Sequence, residues 1–533
     1  MPPVPRAFEW PAIFFYVVFA AASAAICAQI NVHLGITPNT AVIGVLVAIA
    51  VGRSILPQFR SPERQVMVET ATSAGGFAGA NIALVSIAAL YLLGLERLLL
   101  PLVVGISAGM VIDIWLAYRF FGTRAFPAEG PWPDGEAIGR VIQAGDEGGQ
   151  LARQLLQGIG VGFVARLFSL PAAGVGIAFI GNPVALAALA AGLLTRAYGP
   201  SIGYDFATSY VAHGLMIGAG LVQVGQTAWV VWRSRQSGSV RLQADDVAGR
   251  GGRLPPSREA SADRRSLGRG GQPALGAREL ALHVAAFVAG AVALSLLAGL
   301  WSAMPASQLT LWIAFAGAAA FIHTIIVGYC AMLSGWFPSF AVAIALILVA
   351  ALLRFPIEAL AMLAGYVLST GPQFADLGYD LKSGWIIRGR GADPAREEAG
   401  RRQQALLQEV GALVGIVTAT LAFSLYWKAG LVPPMSRVVA ATVSLAATPA
   451  LPAQLAIGAS IGAITQLIGG PRRAVGILLA TGLLLDNLVY GYALVAALLV
   501  RAWLGARPMS VRAPGLIAGD GLAGFGEAIV RAL

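Results

Sequence analysis

The sequence predicts an all-α, polytopic transmembrane helical bundle. Hydrophobic residues make up 57% of the 533 residues and charged residues only 12%, which a water-soluble chain of this length could not tolerate on its surface. Apolar stretches of about 20 residues, the length that crosses a bilayer as a helix, recur along the whole chain. No stretch alternates in polarity over about ten residues, as the strands of a membrane barrel do. We expect about sixteen spans, with possible re-entrant or broken helices.

The arginine distribution predicts the orientation and the division of the chain. The net charge is +10, and residues 233–278 form a Gly/Ser/Pro-rich stretch with many arginines, typical of a disordered cytoplasmic linker. It separates a membrane half, 1–232, from a second half, 279–533. Eight spans in each half would put the linker and both termini in the cytoplasm, although this requires one span merged with another within 148–232. Arginines in such loops orient a membrane protein and do not indicate nucleic-acid binding.

Cysteine, histidine and nucleotide motifs provide no cofactor site. Cys27 and Cys330 both lie in apolar windows, so no disulfide framework is indicated. Four scattered histidines and these cysteines make no metal-ligand cluster of usual spacing. No P-loop is present, which favours an ion gradient as the energy source.

The segment QVMVETATSAGGFAGA, from Gln65 to Ala80, combines a helical apolar pattern with unexpected polar residues. Glu69 lies mid-span, where an ionisable side chain usually faces a cavity or a partner, so it is a candidate substrate or proton site. Its polar and small neighbours in the same candidate pathway are Thr70, Ser73, Gly75 and Gly76. The glycine pair predicts an interruption that frees backbone carbonyls, as in discontinuous transporter helices. The alternative is close helix packing, because Gly75 and Gly79 form a GxxxG pair.

Two polar segments follow downstream. Residues 131–149, PWPDGEAIGRVIQAGDEGG, contain Asp134 and Glu136 and are too polar to span, which favours a structured loop or half-helix bordering the pathway over a solvated loop. The element DLKSG holds Asp380, Lys382 and Gly384. Lys382 could pair with Asp380 or Asp376 and hold a cytoplasmic gate, or it could lie on a solvated face with exposed ion pairs.

These motifs together resemble the oligopeptide transporter superfamily, which includes the yellow stripe-like metal-chelate carriers. Val68 to Gly76 is similar to the family's VQTIASAGGS, with Glu69 in place of a glutamine. Residues 131–149 resemble FPEGTACAEVLKAGEEGG, Asp380 to Gly384 resembles DLKTG, and APGLIAGDGLAGF, from Ala513 to Phe525, resembles GLIAGEGL. The resemblance covers essentially the whole chain. The NPG and KIPPR motifs of the peptide clade are absent, which favours the yellow stripe-like and prokaryotic branch.

The resemblance implies a secondary active transporter, not an enzyme, that imports small oligopeptides or peptide-like metal chelates together with protons. Any metal would then arrive inside a chelate. The Ala, Gly and Arg bias favours a bacterial inner-membrane protein. The oligomeric state stays open.

Other polar residues in the apolar windows are Asp113, Asp205, His213, His323, Glu358, Asp486 and Asn487. His213 follows Asp205 by eight residues, about two helical turns, so the two could share a helix face and form a proton relay.

Two other function classes remain open. One is a channel or scaffold without coupled transport. The other is an intramembrane aspartyl hydrolase, suggested by the Tyr204–Asp205 pair and Asp520, but Ile517 replaces the first glycine of the expected GxGD motif.

Overall fold

The computed structural model describes residues 4–35, 57–144, 150–206, 209–236, 277–334, 339–444, 451–470, 473–506, 509 and 511–532. Within these ranges the chain is 84% helical and has no strands. The prediction of an all-helical bundle is confirmed.

The helices fall on both sides of the predicted linker. Those before it are α1 (Ala12–Leu34), α2 (Pro62–Leu92), α3 (Leu99–Phe120), α4 (Pro133–Ala144), α5 (Gln150–Leu167), α6 (Ala172–Ile180), α7 (Pro183–Tyr198) and α8 (Val211–Gln236). Those after it are α9 (Ala277–Leu297), α10 (Ala306–Ser334), α11 (Ser339–Leu352), α12 (Ile357–Leu368), α13 (Pro372–Ile387), α14 (Pro394–Lys428), α15 (Pro434–Val443), α16 (Leu451–Gly469), α17 (Val475–Leu484), α18 (Leu488–Leu504) and α19 (Arg512–Ala532). Most of the predicted linker lies outside the described residues.

Six helices in the described part of the chain are long and apolar enough to cross a bilayer: α1, α2, α3, α9, α10 and α14. Four shorter apolar helices accompany them, within α11, α16, α17 and α18. The apolar stretch from Ala172 to Tyr198 forms two short helices, α6 and α7, and not one long helix. The total of about sixteen spans therefore stays a prediction.

A break separates α12 from α13 inside the bundle. Ser369, Thr370 and Gly371 connect the two helices, and both hydroxyl residues are fully buried. Gly371 has φ +83°, a conformation that glycine adopts without steric cost, and Pro372 then begins α13 with its fixed φ. A broken helix therefore exists at this point.

Two pairs of helices cross at glycines with the same spacing. In α5 and α19, a Cβ on Gly158 or Gly162, or on Gly515 or Gly519, would lie within 3.0 Å of a backbone carbonyl oxygen of the other helix. In α8 and α16 the corresponding residues are Gly214, Gly218, Gly458 and Gly462. Glycine permits this approach because it has no side chain. Each crossing joins a helix from before the predicted linker to one from after it.

Candidate functional site

Three helices bring six polar side chains together inside the bundle. Each helix contributes two residues four positions apart, which lie one above the other on a single helix face. We call this set the polar ladder, and its members are Glu69 and Ser73 of α2, Asp376 and Asp380 of α13, and Gln404 and Gln408 of α14. None of the six is more than 2% exposed. Because burial without partners is costly, the ladder must satisfy its polar groups internally or with a ligand.

Two carboxyl groups from different helices meet within the ladder. Oγ of Ser73 donates to Oδ2 of Asp380 at 3.1 Å, and Oγ of Ser383 donates to Oε2 of Glu69 at 3.0 Å. The carboxyl groups of Glu69 and Asp380 lie within hydrogen-bonding reach of each other. Among the described residues, no N–H or O–H group donates a hydrogen bond to Oε1 of Glu69 or to Oδ1 of Asp380. Ionised carboxylates only accept hydrogen bonds, so a bond between these two requires a proton.

The second carboxyl level contains Asp376 and two amides. Nε2 of Gln408 donates to Oδ2 of Asp376 at 2.8 Å and to Oε1 of Gln373 at 2.7 Å. Within the part of the chain that the structure describes, Nε2 of Gln373 and Oε1 of Gln408 have no hydrogen-bond partner, although both side chains are fully buried. This level therefore presents a free donor and a free acceptor beside a carboxyl group.

The other end of the ladder contacts a buried ion pair. Nε2 of Gln404 donates to the carbonyl oxygen of Asp380 at 2.6 Å, and Nη1 of Arg388 donates to Oε1 of Gln404 at 2.7 Å. Arg388 also makes a bidentate pair with Glu397, at 2.8 and 2.9 Å. A Cβ on Gly384 would lie within 3.0 Å of both Gln404 and Arg388. This motif glycine thus leaves room for the arginine to reach the ladder.

The model of the family described as OPT oligopeptide transporter protein matches residues 10–228 and 207–530. The chain belongs to the OPT family. Its members are transporters, not enzymes, and carry oligopeptides across membranes. No curated protein matches the chain. The matched ranges include all three helices of the ladder, so the ladder lies within the transporter fold itself.

Several residues of this OPT protein that were predicted for the pathway or for the gate motif come together. Glu69, Ser73 and Asp380 are members of the ladder. Thr70 lies beside it: its hydroxyl donates to the carbonyl oxygen of Val66 at 3.0 Å and accepts from Gln404 at 3.4 Å. The structure thus connects the two motifs that the sequence separates by three hundred residues.

The predicted helix interruption at Gly75 and Gly76 is wrong. α2 continues through both glycines and widens to a π-helical segment, Phe77–Ala83, before continuing as an α-helix. A Cβ on Gly75 would lie 2.5 Å from the carbonyl oxygen of Ala20, so the glycine serves close packing, the alternative reading. The interruption lies instead between α12 and α13. Single-turn π-helical segments are frequent at functional sites, and this one follows the ladder directly.

Lys382 pairs with neither Asp376 nor Asp380, and it does not lie on a solvated face. Its Nζ donates to the carbonyl oxygens of Ala128 and Gly130, at 3.0 and 3.1 Å, and lies 3.5 Å from Glu136. The residue is 3% exposed. Asp380 and Lys382 are two positions apart on α13 and therefore point to different sides of the helix. Lys382 instead links α13 by hydrogen bonds to the segment that connects α3 with α4.

The polar segment 131–149 forms α4 as far as Ala144, and residues 145–149 lie outside the described residues. Asp134 and Glu136 occupy its first turn. A Cβ on Gly135 would lie within 3.0 Å of the Tyr379 carbonyl oxygen, so α4 packs directly on α13. The helical form of the prediction agrees with this structure, whereas a role in the pathway stays a prediction.

The shared helix face predicted for Asp205 and His213 is wrong. α8 begins at Val211, and Asp205 is exposed in the connection before it. His213 lies on α8 beside the ring of Tyr210. The spacing of eight residues therefore does not correspond to two turns of one helix.

Asp113, fully buried on α3, fixes the break between α12 and α13. Its Oδ2 accepts from the backbone N–H of Phe374 at 2.8 Å, in the first turn of α13, and its Oδ1 accepts from Thr324 at 2.6 Å. A carboxylate at a helix N-terminus is favourable because of the free N–H groups and the helix dipole. His323 accompanies it, with Nε2 2.9 Å from the Ser339 carbonyl oxygen.

The sequence reading did not select Gln373, Asp376, Gln404 or Gln408 as site residues. The signal for Asp376, Gln404 and Gln408 was the four-residue spacing of polar side chains on α13 and α14, which matches the spacing of Glu69 and Ser73 on α2; Gln373 does not share this spacing. The described residues contain no group of three or more His, Cys, Asp or Glu side chains that could hold a metal ion.

Proposed function

We propose that this OPT protein is a proton-coupled importer of small oligopeptides or peptide-like metal chelates, in the yellow stripe-like and prokaryotic branch of the family. The observation that carries the proposal is the buried contact between the carboxyl groups of Glu69 and Asp380. A proton shared by the pair supplies the donor that two ionised carboxylates lack, and it removes one of two adjacent negative charges.

The surrounding charges support a proton site at this pair. Asp376 adds a third carboxyl group on the same face of α13. Lys382 is turned away and holds backbone carbonyls, and Arg388 is neutralised by its own glutamate. Among the described residues, the carboxyl pair thus has no cation hydrogen-bonded to it. Loss of the proton would leave like charges together in a low-dielectric interior, which favours separation of the helices.

The moving element in this proposal is α13. It lies between two glycines of positive φ, Gly371 at +83° and Gly389 at +89°, which provide a possible hinge at each end. Deprotonation would release α13 from α2 and expose the ladder to the substrate. Protonation would bring the two helices together again. The proposed setting is the bacterial inner membrane, with both termini and the linker in the cytoplasm and the two halves at 1–232 and 279–533.

Uptake into proteoliposomes tests this function. Labelled di- to tetrapeptides and iron chelates are offered with and without an inward proton gradient, to the wild type and to Glu69→Gln. The variant should fold, because the family motif that Val68 to Gly76 resembles has glutamine at the position of Glu69. We expect gradient-driven accumulation in the wild type and its loss in Glu69→Gln, with exchange at equal pH retained.

Glu358→Gln is the matched control, because Glu358 is a partly exposed acid that pairs with Arg97 at 3.0 Å outside the ladder. It should accumulate substrate like the wild type. Undiminished accumulation by Glu69→Gln would remove the pair from the mechanism. Substrate flux that never exceeds equilibrium under any gradient would identify a channel instead.

A further inference from the structure

The level of the ladder nearest the α12–α13 break contains Gln373, Asp376 and Gln408. It has hydrogen-bonding groups without partners among the described residues, and these are separate from the Glu69–Asp380 pair. Gln373 retains two N–H donors and Gln408 retains its carbonyl oxygen, both fully buried. Exchanging nitrogen and oxygen in one amide would place like atoms opposite each other across the 2.7 Å contact, and exchanging them in both would turn the Gln408 oxygen toward Oδ2 of Asp376. The free groups therefore follow from the arrangement of the side chains and not from amide orientation.

We propose that Gln373, Asp376 and Gln408 form the subsite for the amino-terminal end of the peptide, an inference that rests on the proposed function. Asp376 accepts from the substrate ammonium. Gln373 donates to the first peptide carbonyl, and Gln408 accepts from the first peptide N–H. Buried amides left unpaired are costly, and a peptide unit supplies the missing acceptor and donor together.

The charge of the surroundings selects the amino end over the carboxyl end. Glu69 and Asp380 lie next along the ladder and oppose a carboxylate. The N-terminus of α13, the local group that attracts anions, is already bound by Asp113 through Phe374 N–H at 2.8 Å. All three proposed contacts use substrate backbone groups, so the subsite tolerates different side chains at the first position.

Counterflow at equal pH on both sides of the membrane tests the subsite without requiring proton coupling. Proteoliposomes containing the full-length protein exchange labelled trialanine in the presence of unlabelled trialanine, trialanine amide, N-acetyl-trialanine or methylammonium. We expect trialanine amide to compete as well as trialanine, and N-acetyl-trialanine at least about tenfold less well, because acetylation removes a charge-assisted hydrogen bond.

Asp376→Asn should abolish the preference for a free amino group, and Gln373→Leu should weaken trialanine competition while leaving that preference intact. Glu358→Gln should behave like the wild type in both respects. A merely structural role for Asp376 would change the amount of active protein but not the ratio between trialanine and its acetylated form.

Equal competition by N-acetyl-trialanine in the wild type would overturn the subsite, and this measurement needs no variant to fold. Competition by methylammonium equal to that of trialanine would also overturn it, because the amides would then contribute nothing. Selective exchange without gradient-driven uptake would contradict proton coupling and support the subsite. The absence of any trialanine exchange would overturn the subsite, whereas the proposed function would be overturned only if gradient-driven uptake of iron chelates were absent as well.

Discussion

The polar ladder and the glycine crossings are two ways of holding helices together in a membrane. In the α5–α19 crossing, backbones touch because Gly158 and Gly162 present no side chain, and an ion pair between Arg166 and Glu527, at 2.9 Å, joins the same two helices. In the ladder, α2, α13 and α14 are joined by hydrogen bonds between side chains, and some of the polar groups are unsatisfied. The first arrangement has one well-packed state. The second can be rearranged by a proton or a ligand, so we assign the fixed scaffold to the crossings and the transport cycle to the ladder.

The largest expected effect is at a crossing. Gly162→Val would place a side chain against the Leu516 carbonyl oxygen, closer than 3.0 Å, and force α5 from α19. We expect a loss of stability above about 5 kcal/mol, an exceptional value for one substitution, seen as loss of the monodisperse peak in size-exclusion chromatography. Gly160→Val is the control, because nothing lies within 4 Å of a Cβ there. Equal losses in both variants would contradict the scaffold assignment.

A smaller effect is expected where the ladder ends in an ion pair. Arg388→Met leaves the Glu397 carboxylate and the side-chain oxygen Oε1 of Gln404 without their donor, and removing one partner of a buried pair typically costs about 3–5 kcal/mol. Thermal melting should show a marked decrease in Tm. The double variant Arg388→Met/Glu397→Leu should recover part of it, because no charge is then left unpaired. A double variant less stable than either single one would contradict this account.

The smallest effect is expected outside the ladder, at the contact between α4 and α13. Glu136 lies 3.5 Å from Lys382, but its side chain is 27% exposed and Lys382 has two carbonyl partners besides. Glu136→Gln should change the free energy of unfolding by less than about 1 kcal/mol. A Tm decrease as large as that of Arg388→Met would show that the attachment of α4 to α13 belongs to the fixed scaffold.

The sequence alone predicted the fold class and the family, because both depend on composition and on local motifs. It also selected Glu69, because a carboxyl group within an apolar window is conspicuous by itself, and Asp380, because the DLKSG element resembles a family motif. It failed for Lys382, for which both alternatives, an ion pair with Asp380 or Asp376 and a solvated face, were wrong. A helix turns residues two positions apart to different sides, and Lys382 donates to the carbonyl oxygens of Ala128 and Gly130. It placed the helix break at Gly75 and Gly76, which pack, while the Gly371–Pro372 pair was the better signal.

The amide level of the ladder was beyond the sequence for a different reason. Gln373 and Gln408 matter only because α13 and α14 bring them together, and a glutamine in one helix does not indicate which helix will face it. The pairing of Glu69 with Asp380 has the same cause. Long-range contacts of this kind depend on the packing of the whole bundle.

The crossings also have a consequence for biosynthesis. Gly162 of α5 contacts the region around Gly519 of α19, which is synthesised about 350 residues later. At ribosomal rates of about 5–20 residues per second, this takes tens of seconds. During that interval the glycine faces of α5 and α8 contact lipid or an insertion factor. The first part of the chain therefore inserts before the helices that pack on α5 and α8 exist. A chain whose synthesis stalls before α16 would keep these glycine faces uncovered and become a substrate for membrane quality control.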